Sequence, residues 1–186
     1  TNELFDIKFD GELKVTIDTF IELGVAFIGA LVLIFLLMVI YYKNFVLAGA
    51  IVLASFISIV GVILGHLIMD ILTDDTFYLT ATSLIGFIAL IGINSRNSLL
   101  IIDFSKQLML EKNLKASRAI SIATATRAKP ILLTVLTIVF ASSLLASDAV
   151  FGGLGVALIG GTLIAYLVSI FFVPVTIFNS LKKLES

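Results

Sequence analysis

Apolar runs separated by short polar breaks dominate the chain, at about residues 20–42, 45–69, 77–104, 130–147 and 154–178. As helices, all are long enough to cross ~30 Å of hydrocarbon at ~1.5 Å per residue, the third with tilt. Ahead of them Phe5, Ile7 and Phe9 alternate with Asp6, Lys8 and Asp10, the period of a half-buried strand, and Asp10-Gly11 supplies a turn. This strand finds no partner of its own in the sequence, so residues 1–15 are expected to end an extracytoplasmic domain. From Thr16 the pattern turns helical, and 16–186 is expected to be a transmembrane domain. The fold class expected is an all-α membrane protein, a five-helix bundle with a short N-terminal strand and a cytoplasmic amphipathic connector helix.

That connector, residues 105–126, places Met109, Ala116, Ile120 and Ala123 on one face with lysines elsewhere, as an interfacial helix does. Asn113 is expected to break it in two. Pro130 suits a first helical turn, so the fourth span is expected to start or kink there. Glycines concentrate in the fifth span at Gly152, Gly153, Gly155, Gly160 and Gly161. Gly161 with Ala165 forms a small-xxx-small pair suited to close helix approach, and Gly86 and Gly92 are expected to serve the third span likewise.

Loop charge orients the bundle. Lys43 follows the first span, and the third–fourth connector carries Lys106, Lys112, Lys115, Arg118, Arg127 and Lys129, while Lys182 and Lys183 lie in the tail. The opposite loops hold Asp70, Asp74 and Asp75, and then only Asp148. By the positive-inside rule the basic side is cytoplasmic, with the N-terminus outside and the C-terminus inside.

Composition narrows the chemistry. A hydrophobic fraction of 60% and a charged fraction of 13% mark a polytopic membrane protein. A net charge of −1 offers no basic patch for nucleic acid. The absence of cysteine removes disulfides and thiol chemistry, and a single histidine makes a histidine metal site improbable. No cofactor is expected. At membrane depth no Ser/His pair, paired carboxylates or metal cluster appears, so an intramembrane enzyme is disfavoured. His66 is expected to be interfacial, and Asp74 and Asp75 to favour the N-terminus of the third span.

One residue contradicts the apolar pattern. Arg96 stands within the third run, in Gly92-Ile-Asn-Ser-Arg-Asn-Ser-Leu-Leu-Ile-Ile-Asp-Phe104, flanked by Asn94, Ser95, Asn97 and Ser98. An arginine near a helix centre costs roughly 2.5–3.5 kcal/mol and faces a bundle interior, a cavity or a partner. It keeps its proton, so it must meet an anion, dipoles or water. Asp103 lies seven positions on, ~10 Å along the same face, so a direct contact would be stretched. The plain alternative is a structural cation bound to backbone carbonyls. Thr134 follows Arg127 by seven residues, again on one face, and can donate or accept a hydrogen bond inside the span. Arg127 could equally anchor at the headgroups.

The stretch from Gly86 through Arg96 to Phe104 resembles the tenth transmembrane helix of the resistance-nodulation-division (RND) efflux transporters, particularly the hydrophobe/amphiphile branch. Arg127-Ala-Lys-Pro-Ile-Leu-Leu-Thr134 resembles the start of the family's eleventh helix, and Phe172-Val-Pro-Val175 the close of its twelfth. The resemblance covers nearly the whole chain, as helices eight to twelve. It implies a multidrug proton/substrate antiporter of the bacterial inner membrane, a homotrimer with a periplasmic adaptor and an outer-membrane channel. It also implies a proton relay in which a lysine of the tenth helix lies beside an aspartate pair of the fourth. Arg96 corresponds to that lysine, Asn97 to the asparagine after it, and Arg127 and Thr134 to an arginine and a threonine of the same relay; Asp103 is added as a proton exit or salt-bridge partner. Two features depart: arginine replaces lysine, and neither the aspartate pair nor the porter domains occur in these residues. A membrane scaffold or assembly subunit without transport is therefore the alternative.

Overall fold

The computed structural model describes residues 12–72 and 80–183. The first four rods are α1 (Glu12–Tyr42), α2 (Phe45–Leu72), α3 (Ala81–Lys112) and α4 (Ala116–Ala146). A fifth joins α5 (Gly152–Leu167), a π-helical turn (Val168–Phe172) and α6 (Val173–Lys182) end to end. Five helices among the described residues are long and apolar enough to cross a membrane, as the pattern of apolar runs requires. The strand through Phe5–Phe9 lies outside the described residues, as do Asp74 and Asp75. Helix α1 begins at Glu12, four residues before the expected Thr16.

Two expectations about the third–fourth connection need correction. There is no separate connector helix: its first part continues α3 to Lys112, and the rest opens α4 at Ala116. No glycine, proline or competing cap interrupts 105–112, so nothing stops α3 as it leaves the apolar zone. The break falls where expected, at Asn113, whose φ of 49° and ψ of 37° put it in the left-handed region. Asparagine tolerates that conformation better than most residues and ends helices there. Of the two outcomes expected at Pro130, a helix start is the one corrected, since Pro130 lies inside α4. A proline in mid-helix removes one backbone bond, which membrane helices tolerate through neighbouring groups and local adjustment.

Polar side chains set the starts of α2 and α3 and the α4–α5 turn. Asn44 Oδ1 accepts from the backbone N–H of Val46 at 2.9 Å and of Leu47 at 3.3 Å, capping α2. Thr80 and Ser83 form a reciprocal capping box at the start of α3. Asp148 Oδ1 accepts from Val150 and Phe151 N–H at 2.8 and 2.9 Å, ordering the α4–α5 turn. These two bonds, that from Phe151 first, hold the Asp148 carboxyl below the usual carboxylate range.

Packing centres on α5, which meets α2, α3 and α4. Glycine makes the α2–α5 contact possible: a Cβ on Gly61 would stand 2.6 Å from the Gly160 carbonyl oxygen, and one on Gly65 3.2 Å from the Gly160 Cα. Gly61 and Gly65 are themselves a GxxxG pair on α2, outside the glycines expected to bring helices together. Gly161 abuts Leu90, and Gly86 has room only for hydrogen, since a Cβ there would lie 2.8 Å from that of Ala157. Gly92 behaves otherwise, with nothing within 4 Å of its Cβ position, so the expectation that it packs a neighbouring helix is corrected. The main core joins Leu47, Ile51, Ile101, Ile102, Ile131, Val135, Val173 and Ile177. Ile28, Leu33 and Ile40 of α1 and Leu133 and Phe140 of α4 remain exposed, as lipid-facing side chains do.

The π-helical turn ends just before Pro174, which has no N–H to offer the carbonyl of Ile170, and within it Val173 N–H closes onto Val168 O, five residues back.

Candidate functional site

Helix α3 divides its polar residues between two faces. Asn94, Ser95, Asn97 and Ser98 are buried toward the bundle, whereas Arg96 is exposed. Ile85, Ala89, Gly92, Arg96 and Gln107 are exposed at spacings of three and four or their multiples, with half-buried Asp103 in the same row. They form one stripe along α3 that the other described helices leave uncovered. The open space over Gly92, one turn from Arg96, marks the same face. Among the described residues no hydrogen bond or ion pair engages Arg96.

Asp103 is held instead by α1. Tyr42 Oη donates to Asp103 Oδ1 at 2.9 Å and Tyr41 Oη to Oδ2 at 3.2 Å, so both carboxylate oxygens are engaged. The Lys106 ammonium lies 4.4 Å from the Tyr42 ring centroid. The two tyrosines carry no signal in the sequence, because only the fold brings the end of α1 beside residue 103. The expected stretch between Asp103 and Arg96 is observed: they share a face without bonding.

Arg127 stacks on Phe104, with its guanidinium carbon 4.7 Å from the ring centroid. It is half-buried, and its Nε has no partner among the described residues. Leu108 packs with Ala119 and Ala123 one turn nearer the α3–α4 connection. In this antiparallel register Thr134, seven residues beyond Arg127, comes level with Asn97, seven before Phe104. Thr134 Oγ1 donates to its own helix at Pro130 O, 3.1 Å away. Asn97 Nδ2, Ser95 Oγ, Ser98 Oγ and Thr124 Oγ1 are buried without a partner among the described residues. The five predicted site residues thus lie along α3 and the α4 face against it, with no bond joining any two of them. No cluster of His, Cys, Asp or Glu able to hold a metal occurs among the described residues.

His66 is buried rather than interfacial, a correction to the expectation. Its Nδ1 lies 2.9 Å from Val62 O, so Nδ1 carries the proton, and Nε2 lies 3.0 Å from Ser83 Oγ in the α3 cap.

A bundle of five membrane-length helices, with an arginine in one of them that has no partner among the described residues, defines a multi-pass membrane protein. The family model described as the AcrB/AcrD/AcrF family matches residues 3–180, and the chain belongs to that family of RND multidrug efflux transporters. It is 30% identical over 149 residues to the multidrug export protein AcrF of Escherichia coli (strain K12), covering 77% of this chain and 14% of the relative. Against the swarming motility protein SwrC of Bacillus subtilis (strain 168) identity is 30% over 164 residues, 85% of this chain and 15% of the relative. The solvent-resistant pump membrane transporter SrpB of Pseudomonas putida is 26% identical over 162 residues, 81% of this chain and 15% of that protein. The chain therefore spans about a sixth or less of these relatives.

Proposed function

We propose that these residues are transmembrane helices eight to twelve of a proton-motive-force-driven RND efflux transporter, and that they supply the cationic side of its proton relay. The observation that carries this reading is Arg96, exposed on the uncovered stripe of α3 with no counter-charge among the described residues. Lipid would reject that cation, so it needs an anion, dipoles or water from outside these residues, and the family resemblance supplies an anion in the aspartate pair of the fourth helix. A fixed guanidinium favours the ionised carboxylate; when the carboxylates take up protons the attraction is lost and the helices gain a second arrangement. Arg96 is thus the electrostatic control and not the proton carrier.

Asn97 and Thr134 lie on the α3–α4 side near the level of Arg96, and Arg127 stacks on Phe104 two turns nearer the basic end. Asn97 Nδ2 and Arg127 Nε are buried without a partner among the described residues, which leaves them free to bond within the bundle in a second arrangement of the helices. Asp103, nearer the basic end of α3, is the proposed exit or ion-pair position. By family resemblance the assembly is a homotrimer in the inner membrane, with an adaptor, an outer-membrane channel and the N-terminal side of α1 in the periplasm. The names of the relatives point to drugs or solvents as the substrate class.

The test is Arg96→Ala in the full-length transporter, measured as drug resistance at matched membrane abundance. Resistance is expected to disappear, and Arg96→Lys, which keeps a cation, is expected to retain part of it. Undiminished resistance in Arg96→Ala refutes the assignment.

A further inference from the structure

On the side of α3 away from Arg96, a second polar group crosses the core. Ser169 Oγ donates to Asn94 Oδ1 at 3.3 Å, Asn94 Nδ2 donates to Ser55 Oγ at 3.3 Å, and Ser55 Oγ donates to Ile51 O at 3.0 Å. Asn94 and Ser169 are 0% exposed and Ser55 2%, so these bonds lie wholly within apolar packing. They tie α2, α3 and the fifth rod together at one level. Each donor has an acceptor in turn, which is the condition for a buried polar group to be tolerated.

Two features make this more than a filled core. First, Ser169 stands in the π-helical turn Val168–Phe172, so its bond to Asn94 lies where the fifth rod changes its winding. Relaxing a π turn to an α-helix rotates the downstream residues by roughly 100°, the angle of one helical position, which would carry side chains off their partners. Second, Asn94 and Arg96 are two positions apart, roughly 200° around the helix. A rotation of α3 that turned Arg96 from its uncovered face would therefore break both bonds of Asn94.

We infer that Asn94, with Ser55 and Ser169, is a positioning group that fixes the rotation of α3 and so aims Arg96 at its acidic partner. This rests on the proposed role of Arg96. Asn94 touches no proton carrier itself. From Lys14 onward, the charged and titratable groups on the surrounding elements are Lys14, Asp18, Glu22, Tyr41 and Tyr42 on α1, His66 and Asp70 on α2, Asp103, Lys106, Glu111 and Lys112 on α3, Arg118, Arg127 and Lys129 on α4, Tyr166 on α5, and Lys182 on α6. None of them bonds to Arg96 or Asn94 among the described residues.

The experiment uses the full-length transporter in liposomes under an imposed pH gradient, with ethidium as the transported probe and flux followed against pH. Asn94→Leu, Ser55→Ala and Ser169→Ala are expected to lower flux roughly two- to thirtyfold. A mis-aimed guanidinium lets the partner carboxylates keep their protons to higher pH, so the pH midpoint of flux is expected to move upward in all three. The Ser55→Ala/Ser169→Ala pair is expected to be no worse than Asn94→Leu, as for residues acting as a unit. Unchanged flux, or reduced flux with an unmoved midpoint, overturns the inference, the second outcome assigning the group to packing alone. A Ser169→Ala protein that fails to accumulate in the membrane assigns it to folding and overturns the inference equally. Arg96→Ala run in parallel separates the two readings. If it leaves flux and midpoint intact, the role of Arg96 itself has failed; if it acts while the Asn94 group is silent, only this inference has failed.

Discussion

Gly160→Ala tests the glycine contact on which the bundle is assembled. A Cβ at 160 would overlap the Gly61 carbonyl oxygen and stand 2.9 Å from the Gly65 Cα. Both obstructing groups are backbone, so no side-chain rotation relieves them, and α2 and α5 must part. Ordinary contact begins at 3.4 Å, so the separation is about 0.5 Å at Gly65 alone and more at the carbonyl. A gap of ~0.5–1 Å forfeits a quarter to a half of each dispersion contact across the interface, and overpacking of this kind costs ~1–3 kcal/mol. Alanine recovers up to ~1 kcal/mol through helix propensity. With that gain in full the net loss is ~0–2 kcal/mol, and because both obstructing groups are backbone the upper part of that range is expected. Gly92→Ala is the control: with nothing within 4 Å it should carry only the propensity gain in this chain. Equilibrium unfolding of the purified chain in bicelles measures both. The reasoning is refuted if Gly160→Ala is as stable as the parent, or if Gly92→Ala loses as much.

Tyr42→Phe removes the 2.9 Å bond to Asp103 while leaving the ring under Lys106. A hydrogen bond to a charged group is worth ~1.5–3 kcal/mol, so the end of α1 should exchange its amide hydrogens faster; unchanged exchange there would count against the contact. For Asp148, whose carboxyl sits below its ordinary value, the stabilising contribution is present above the unfolded value of ~3.9 and is lost as pH falls through the lower folded value. Exchange protection in the α4–α5 turn should therefore decline only in strong acid, and Asp148→Asn should abolish that decline; a turn equally protected throughout would contradict it.

The membrane class, the five spans and the break at Asn113 were legible because they depend on local quantities: apolar run length and the conformational tolerance of one residue. Arg96 was legible for the same reason, since a guanidinium in an apolar run is anomalous whatever surrounds it. Where helices stop was less legible. The connector is amphipathic on paper, but an amphipathic segment is as content to extend a span as to lie beside it, and Pro130 fits an interior position as well as an initial one. His66 reads as interfacial by its place near a span end, and only the arrival of the α3 cap beside it supplies the buried hydroxyl.

By itself, then, the sequence determined how many times this chain can cross a bilayer and that one crossing carries a charge it cannot discard, because hydrocarbon length and ion solvation act on each segment separately. The tertiary structure alone decided which way that charge faces, that Gly61 and Gly65 rather than Gly92 receive a neighbouring helix, that Tyr41 and Tyr42 hold Asp103, and that Asn94 meets a π-turned Ser169. Each of these depends on the rotation and register of two or more helices, and these are set jointly by packing rather than by any one helix's own pattern.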